Sequence, residues 1–105
     1  MTKIEFQQLL RQTDEQMLQL TKSKGEEYAR SDDQLANFKR SAVANGISTY
    51  AAWGVLYGKH IDAIQYFIQN GRELSEPIES RIYDAILYLN LLLALVKESK
   101  DGAQK

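Results

Sequence analysis

The chain predicts an all-α, four-helix bundle-like domain, and three observations carry that reading. It holds one proline in 105 residues. Its apolar residues recur at helical spacing over long segments, and β-branched runs are few. The segment over residues 76–98 then predicts more than a helix. From Ile82 to Val96 only Asp84 and Asn90 are polar, the two tyrosines counted as amphipathic. A surface helix shows one apolar stripe and a wet back. This one is apolar nearly all round, so it must be surrounded, and a chain this short has too few other helices to wrap it. The expectation is a homo-oligomer joined through the C-terminal helix.

Each helix has its own signals. The first is predicted from about Thr2 to Lys24, with Thr2 and Glu5 at capping-box spacing and Gly25 placed to end it. Phe6, Leu9, Leu10, Met17 and Leu20 form its narrow apolar stripe, and Gln7, Gln8, Gln12, Gln16 and Gln19 face water. Residues 25–31 read as a linker. Ser31, Asp32 and Asp33 supply N-cap chemistry for a second helix. That helix carries Leu35, Phe38 and Val43 inward and closes at Asn45-Gly46. Ser48 or Thr49 caps a third helix that runs to about Gln69, before Asn70-Gly71. On it Trp53, Tyr57, Ile61, Ile64 and Ile68 form the core stripe. Ser75 caps the fourth, where Pro77 is tolerated because first-turn amides lack helical partners. The tail from about residue 98 is expected to fray. One domain over residues 1–105 is the expected organisation.

Composition narrows the chemistry. Lys and Arg number 13 against 14 acids, which argues against a coat for nucleic acid or anionic membrane. With no cysteine and one histidine, disulfides, zinc ribbons and thiol chemistry fall away. The polar, glutamine-rich start does not read as a signal sequence. The apolar run of the fourth helix falls short of the roughly 20 residues needed to cross a bilayer. A cytoplasmic protein is expected.

Two groups of residues stand out. Lys59, His60 and Asp62 on the third helix face Arg81 and Asp84 on the fourth if the two pack antiparallel. A lone histidine at the edge of a core stripe is ordinarily a structural hydrogen-bonder. The functional reading pairs His60 with Asp84 and lets Lys59 and Arg81 draw a phosphate. Buried acids are retained when paired, and an interior ion pair is weak evidence for stability, so a ligand is a better reason to keep it. The second group is Lys24, Glu26, Glu27, Tyr28 and Arg30, followed by Asn37, Phe38 and Lys39. Lys24, Glu26 and Arg30 read as solvated charge, whereas an aromatic pair, Tyr28 and Phe38, beside an amide can stack a base and read its edge. Core packing is the plainer duty for Phe38. Gly54 and Gly58, four apart with Ala51 on the same face, each cost about 1 kcal/mol in a helix interior. Close crossing of a neighbouring helix is the plain reason for them, and approach of a ligand to the backbone the sharper one.

Metal-dependent hydrolysis is poorly provided for. Magnesium takes a cage of oxygens, on helices usually acids three or four apart converging from two helices. Glu76 and Glu79 have that spacing, but at the start of the fourth helix. Around Asp84 the preceding turn offers Arg81 and Ser80, and the third helix offers Asp62 alone.

Three stretches, KGEEYARSDDQLANFKRSA (Lys24–Ala42), YGKHIDAI (Tyr57–Ile64) and SEPIESRIYDAILYLNLLLAL (Ser75–Leu95), are similar to small proteins common in bacteriophage genomes. The chain resembles the nucleotide modification associated domain 1 family over roughly residues 20–96. It has a more distant likeness to the MazG-type all-α nucleotide pyrophosphatases. The resemblance implies a helical, oligomeric protein whose pocket accepts a nucleotide. Carried across by position, it points to Glu27, Tyr28, Asn37, Phe38, Lys59, His60, Asp62, Glu79 and Asp84. MazG-type enzymes place acids as E-x-x-E on one helix and E-x-x-D on the next. Here Lys59-x-x-Asp62 and Arg81-x-x-Asp84 stand at the comparable places, so both leading acids are bases. That exchange removes metal-ligand charge and adds phosphate-attracting charge.

The expectation is therefore a protein that binds a nucleotide or nucleotide-derived small molecule without turnover, with no cofactor. In a phage, such a protein could act as a sponge for a host cyclic-nucleotide or cyclic ADP-ribose-type immune signal. The rival readings are a magnesium-dependent nucleotide pyrophosphohydrolase or nucleotide-modification accessory enzyme, and a protein–protein interaction module docking through its fourth helix.

Overall fold

A computed structural model of the chain describes the backbone of residues 1–27 and 32–103, and the side chains of residues 1–22 and 32–100. Every regular element among them is a helix: α1 (Lys3–Glu27), α2 (Ala36–Asn45), α3 (Thr49–Asn70) and α4 (Ile78–Ala103). The chain falls into two compact units, Met1–Asp32 and Asp33–Lys105. Among the described residues no helix is long and apolar enough to cross a membrane.

The first unit is α1. Its start is the expected reciprocal box: Thr2 N–H donates to Glu5 Oε2 at 3.3 Å, and Glu5 N–H donates to Thr2 Oγ1 at 3.1 Å. Its end is not the expected one. The helix continues through Gly25 to Glu27, because a glycine weakens a helix by about 1 kcal/mol without forbidding it. Within the expected stripe Met17 is buried, whereas Phe6, Leu9 and Leu10 stay exposed.

In the second unit α2 packs on α3, and α3 on α4. Asp33 opens α2 with its side chain, Oδ1 accepting from Leu35 N–H at 3.0 Å, while Leu35 holds the cap position. The expected stop at Gly46 is present: its φ is 64°, and Ile47 N–H reaches back to the Ala42 carbonyl at 3.0 Å. Only a residue without Cβ enters that left-handed region at no cost. Ser48 caps α3 through its hydroxyl, which accepts from Ala51 N–H at 3.0 Å. Gly71 closes α3 at φ 67°, its N–H donating to Phe67. For α4 the first acceptor is the Pro77 carbonyl, and the Glu73 carboxylate, not Ser75, takes the Ile78 N–H at 3.0 Å. α4 extends to Ala103.

Leu35, Phe38, Trp53 and Leu95 make the core, with Leu56, Tyr57, Tyr88 and Leu92 packed against it. Of the expected core residues, Ile61 and Ile64 are only half-buried, and Val43 and Ile68 are exposed. Val43 is 84% exposed, because the inward face of α2 is Leu35, Phe38 and Ala42 and the next position turns about 100° away. Ile68 is exposed because α3 outruns its partner: His60 already meets Asp84, six residues into an α4 that begins at Ile78. The glycine face also departs from the plain expectation. A Cβ built on Gly54 or Gly58 would meet nothing within 4 Å, so no helix among the described residues crosses closely there.

On α4 the packed face contains Ala85 and Leu95, and Leu87 is buried as well. Ile82, Leu89 and Leu93 remain exposed. One chain therefore leaves part of this helix uncovered.

Candidate functional site

Two cross-helix pairs fix the register of the site. Trp53 on α3 meets Tyr88 on α4, and His60 meets Asp84. Numbers rise on one helix as they fall on the other, so α3 and α4 run antiparallel. Three side chains then gather one turn from the core. His60 Nδ1 lies 3.7 Å from Asp84 Oδ2, and both side chains are largely but not wholly covered, at 17% and 22% exposure. That separation is one of charge attraction when the imidazole is protonated, and is too long for a hydrogen bond. The Tyr88 ring sits against the imidazole, centroids 4.7 Å apart and planes tilted by 46°. Burial, and then the neighbouring Asp84 carboxylate, push the Tyr88 phenol above its ordinary value. Both effects disfavour the phenolate: one removes water, the other places a like charge nearby.

Aromatic packing holds this group in place. Phe38 sets its ring edge-on to Tyr88, centroids 6.0 Å apart at 76°. Trp53 stacks on Tyr57 at 4.7 Å and 18°. Stacked and edge-on pairs contribute about 0.5–1.5 kcal/mol beyond the area they bury. Tyr88 is thus gripped from α2 and from α3, and it presents its ring to His60.

The expected site residues distribute unevenly. His60 and Asp84 come together as the sequence led one to expect. Arg81, one turn before Asp84, is half-buried, its Nε 3.4 Å from Glu76 Oε2. Lys59 is exposed beside His60. Asp62 is exposed too, and two residues of helix carry it about 200° round from His60. Glu79 is exposed in the first turn of α4. Asn37 is exposed, and its side-chain oxygen accepts from the Arg40 guanidinium. Phe38, 4% exposed, is a core residue and offers no free ring face. The Glu27 side chain and Tyr28 lie outside the described residues.

Sequence reasoning did not single out Tyr88. Its signal was present as spacing, since it lies one turn after Asp84 and so on the same face. It was hidden inside an apolar run where a tyrosine reads as filler. Among the described residues no three His, Asp or Glu side chains converge.

Comparison of the chain with family models, curated proteins and solved structures finds no match.

Proposed function

We propose that this chain is a small helical binding protein that holds a phosphorylated, nucleotide-type molecule without turning it over. The observation that carries the reading is the largely covered His60–Asp84 pair, walled by Tyr88 at the α3–α4 seam. An imidazole N–H of His60 and the Lys59 ammonium give a phosphate two donors on one helix. The Arg81 guanidinium, one turn from Asp84, has its Nε 3.4 Å from the exposed Glu76 carboxylate. Exposed ion pairs of this kind contribute little, so a phosphate can take Glu76's place at small cost. Asp84 is left as an acceptor for a hydroxyl or a base N–H. Such a set binds and orients; it asks for no metal.

The resemblance to phage proteins sharpens the reading to a sponge that sequesters a host nucleotide immune signal. The uncovered face of α4 favours a homo-oligomer as the working unit. Two measurements test the binding claim. Small molecules carried through gentle purification are identified by mass spectrometry, with and without magnesium. Calorimetry then follows nucleotides, cyclic dinucleotides and cyclic ADP-ribose compounds. The expected result is an intact ligand bound with Kd below about 0.1 mM, some 5 kcal/mol or more. No binding across that panel, or release of cleaved product, overturns it.

A further inference from the structure

The outer face of α4 carries a second pattern, independent of any ligand. Ile82, Leu89 and Leu93 are 41%, 49% and 52% exposed. Together with the half-buried Ile86 and Val96 they recur at intervals of four, three, four and three. That is the seven-residue repeat by which helices pair side by side. Two repeats are short for an isolated coiled coil, but α4 is already held helical by its packing on α3, so nothing must be nucleated.

Charge then chooses the direction. Glu79 stands exposed before this seam, and Lys97 and Lys100 stand exposed after it. Two copies aligned parallel would set Glu79 against the partner's Glu79 and Lys100 against the partner's Lys100. Aligned antiparallel, Glu79 meets the partner's Lys97 or Lys100. The apolar register agrees with the charge register. The midpoint of Ile82 and Val96 is Leu89, and the midpoint of Glu79 and Lys100 falls between Leu89 and Asn90.

We propose that α4 pairs with α4 of a second copy, antiparallel, about a two-fold axis at Leu89. An isologous contact of this kind closes on itself and stops at a dimer. The proposal deepens the oligomer reading given above and rests on it, while owing nothing to the ligand site.

The test uses the full chain, which has no cysteine of its own. Sedimentation is expected to give twice the chain mass for the natural sequence and the single chain mass for Leu89→Glu, with helicity by circular dichroism unchanged. Positions 79 and 100 lie about 32 Å apart along one helix. Under mild oxidation, Glu79→Cys mixed with Lys100→Cys is expected to give the mixed crosslink in preference to either self-crosslink. A natural chain that stays monomeric at all concentrations, its seam covered by a segment of the same chain or by a different protein, overturns both the dimer and the oligomer reading. A dimer that survives Leu89→Glu overturns this seam alone. Self-crosslinks without the mixed product overturn the antiparallel arrangement.

Discussion

The indole N–H of Trp53 donates to the backbone carbonyl of Tyr88 at 2.7 Å. A carbonyl has two lone pairs, so α4 keeps its own ladder while α3 uses the second. This bond ties α3 to α4 in the register that brings His60 to Asp84.

Trp53→Phe therefore removes the donor and part of the ring. A neutral hydrogen bond contributes about 0.5–1.5 kcal/mol net, and the lost volume adds to it. The expected loss is about 2 kcal/mol, and for Trp53→Ala about 3–5 kcal/mol. Against a domain stability of about 5–15 kcal/mol the second change approaches unfolding. Urea titration followed by circular dichroism checks both.

The glycines divide by backbone, not by exposure. Gly54→Ala and Gly58→Ala place a methyl in open space on a regular helix. Each is expected to stabilise the chain by about 0.5–1 kcal/mol. Gly46→Ala meets open space as well, but at φ 64°, and is expected to cost about 1–2 kcal/mol. Thermal melts of the three variants should show these opposite signs. Destabilisation by Gly54→Ala would show that something seats against that face in solution.

Stability should respond to acid through α2. The Lys39 ammonium lies 2.6 Å from both Asp33 Oδ2 and Glu98 Oε1. Its hydrogen bond, then the Leu35 amide, hold the Asp33 carboxyl below its usual range. Near pH 3.8 the unfolded chain thus binds more protons at Asp33 than the folded one, and the contribution is lost as pH falls below that value. Exposure keeps the effect small. In Lys39→Met the acid limb of the stability curve is expected to flatten. At the alkaline end the raised Tyr88 phenol acts oppositely: above pH 10.0 the unfolded chain loses that proton first, and stability falls as pH rises. Tyr88→Phe should remove that share of the alkaline loss.

At the proposed binding site, His60→Gln and Asp84→Asn are each expected to weaken a phosphorylated ligand about tenfold or more, near 1.4 kcal/mol. Lys59→Ala, at an exposed position, should weaken binding less and reduce its salt dependence. Val43→Ser, on the exposed side of α2, is the control. Calorimetry at two salt concentrations separates these outcomes. Equal affinities for His60→Gln and the control would remove His60 from the site.

The helices were legible because their boundaries are written in local chemistry. Thr2 with Glu5, Ser48, Asn45-Gly46 and Asn70-Gly71 each act within a few residues of where they stand. Ser75 misled because Glu73 has the longer side chain and reaches the same amide. Val43 and Ile68 misled because periodicity gives a face but not how far a neighbour extends along it. At the site, His60 with Asp84 followed from placing two long helices antiparallel. Asp62 shares the sequence neighbourhood of His60 but not its face. Tyr88 was concealed, since its role depends on Phe38 arriving from α2, a contact across 50 positions that no local pattern encodes.

Trp53 is the chain's only tryptophan, and one aromatic neighbour separates it from the imidazole of His60. Nature has thereby installed an optical reporter beside the region of interest. Its emission colour and intensity can follow occupancy of that region in unlabelled protein, and any compound library can be screened by light alone.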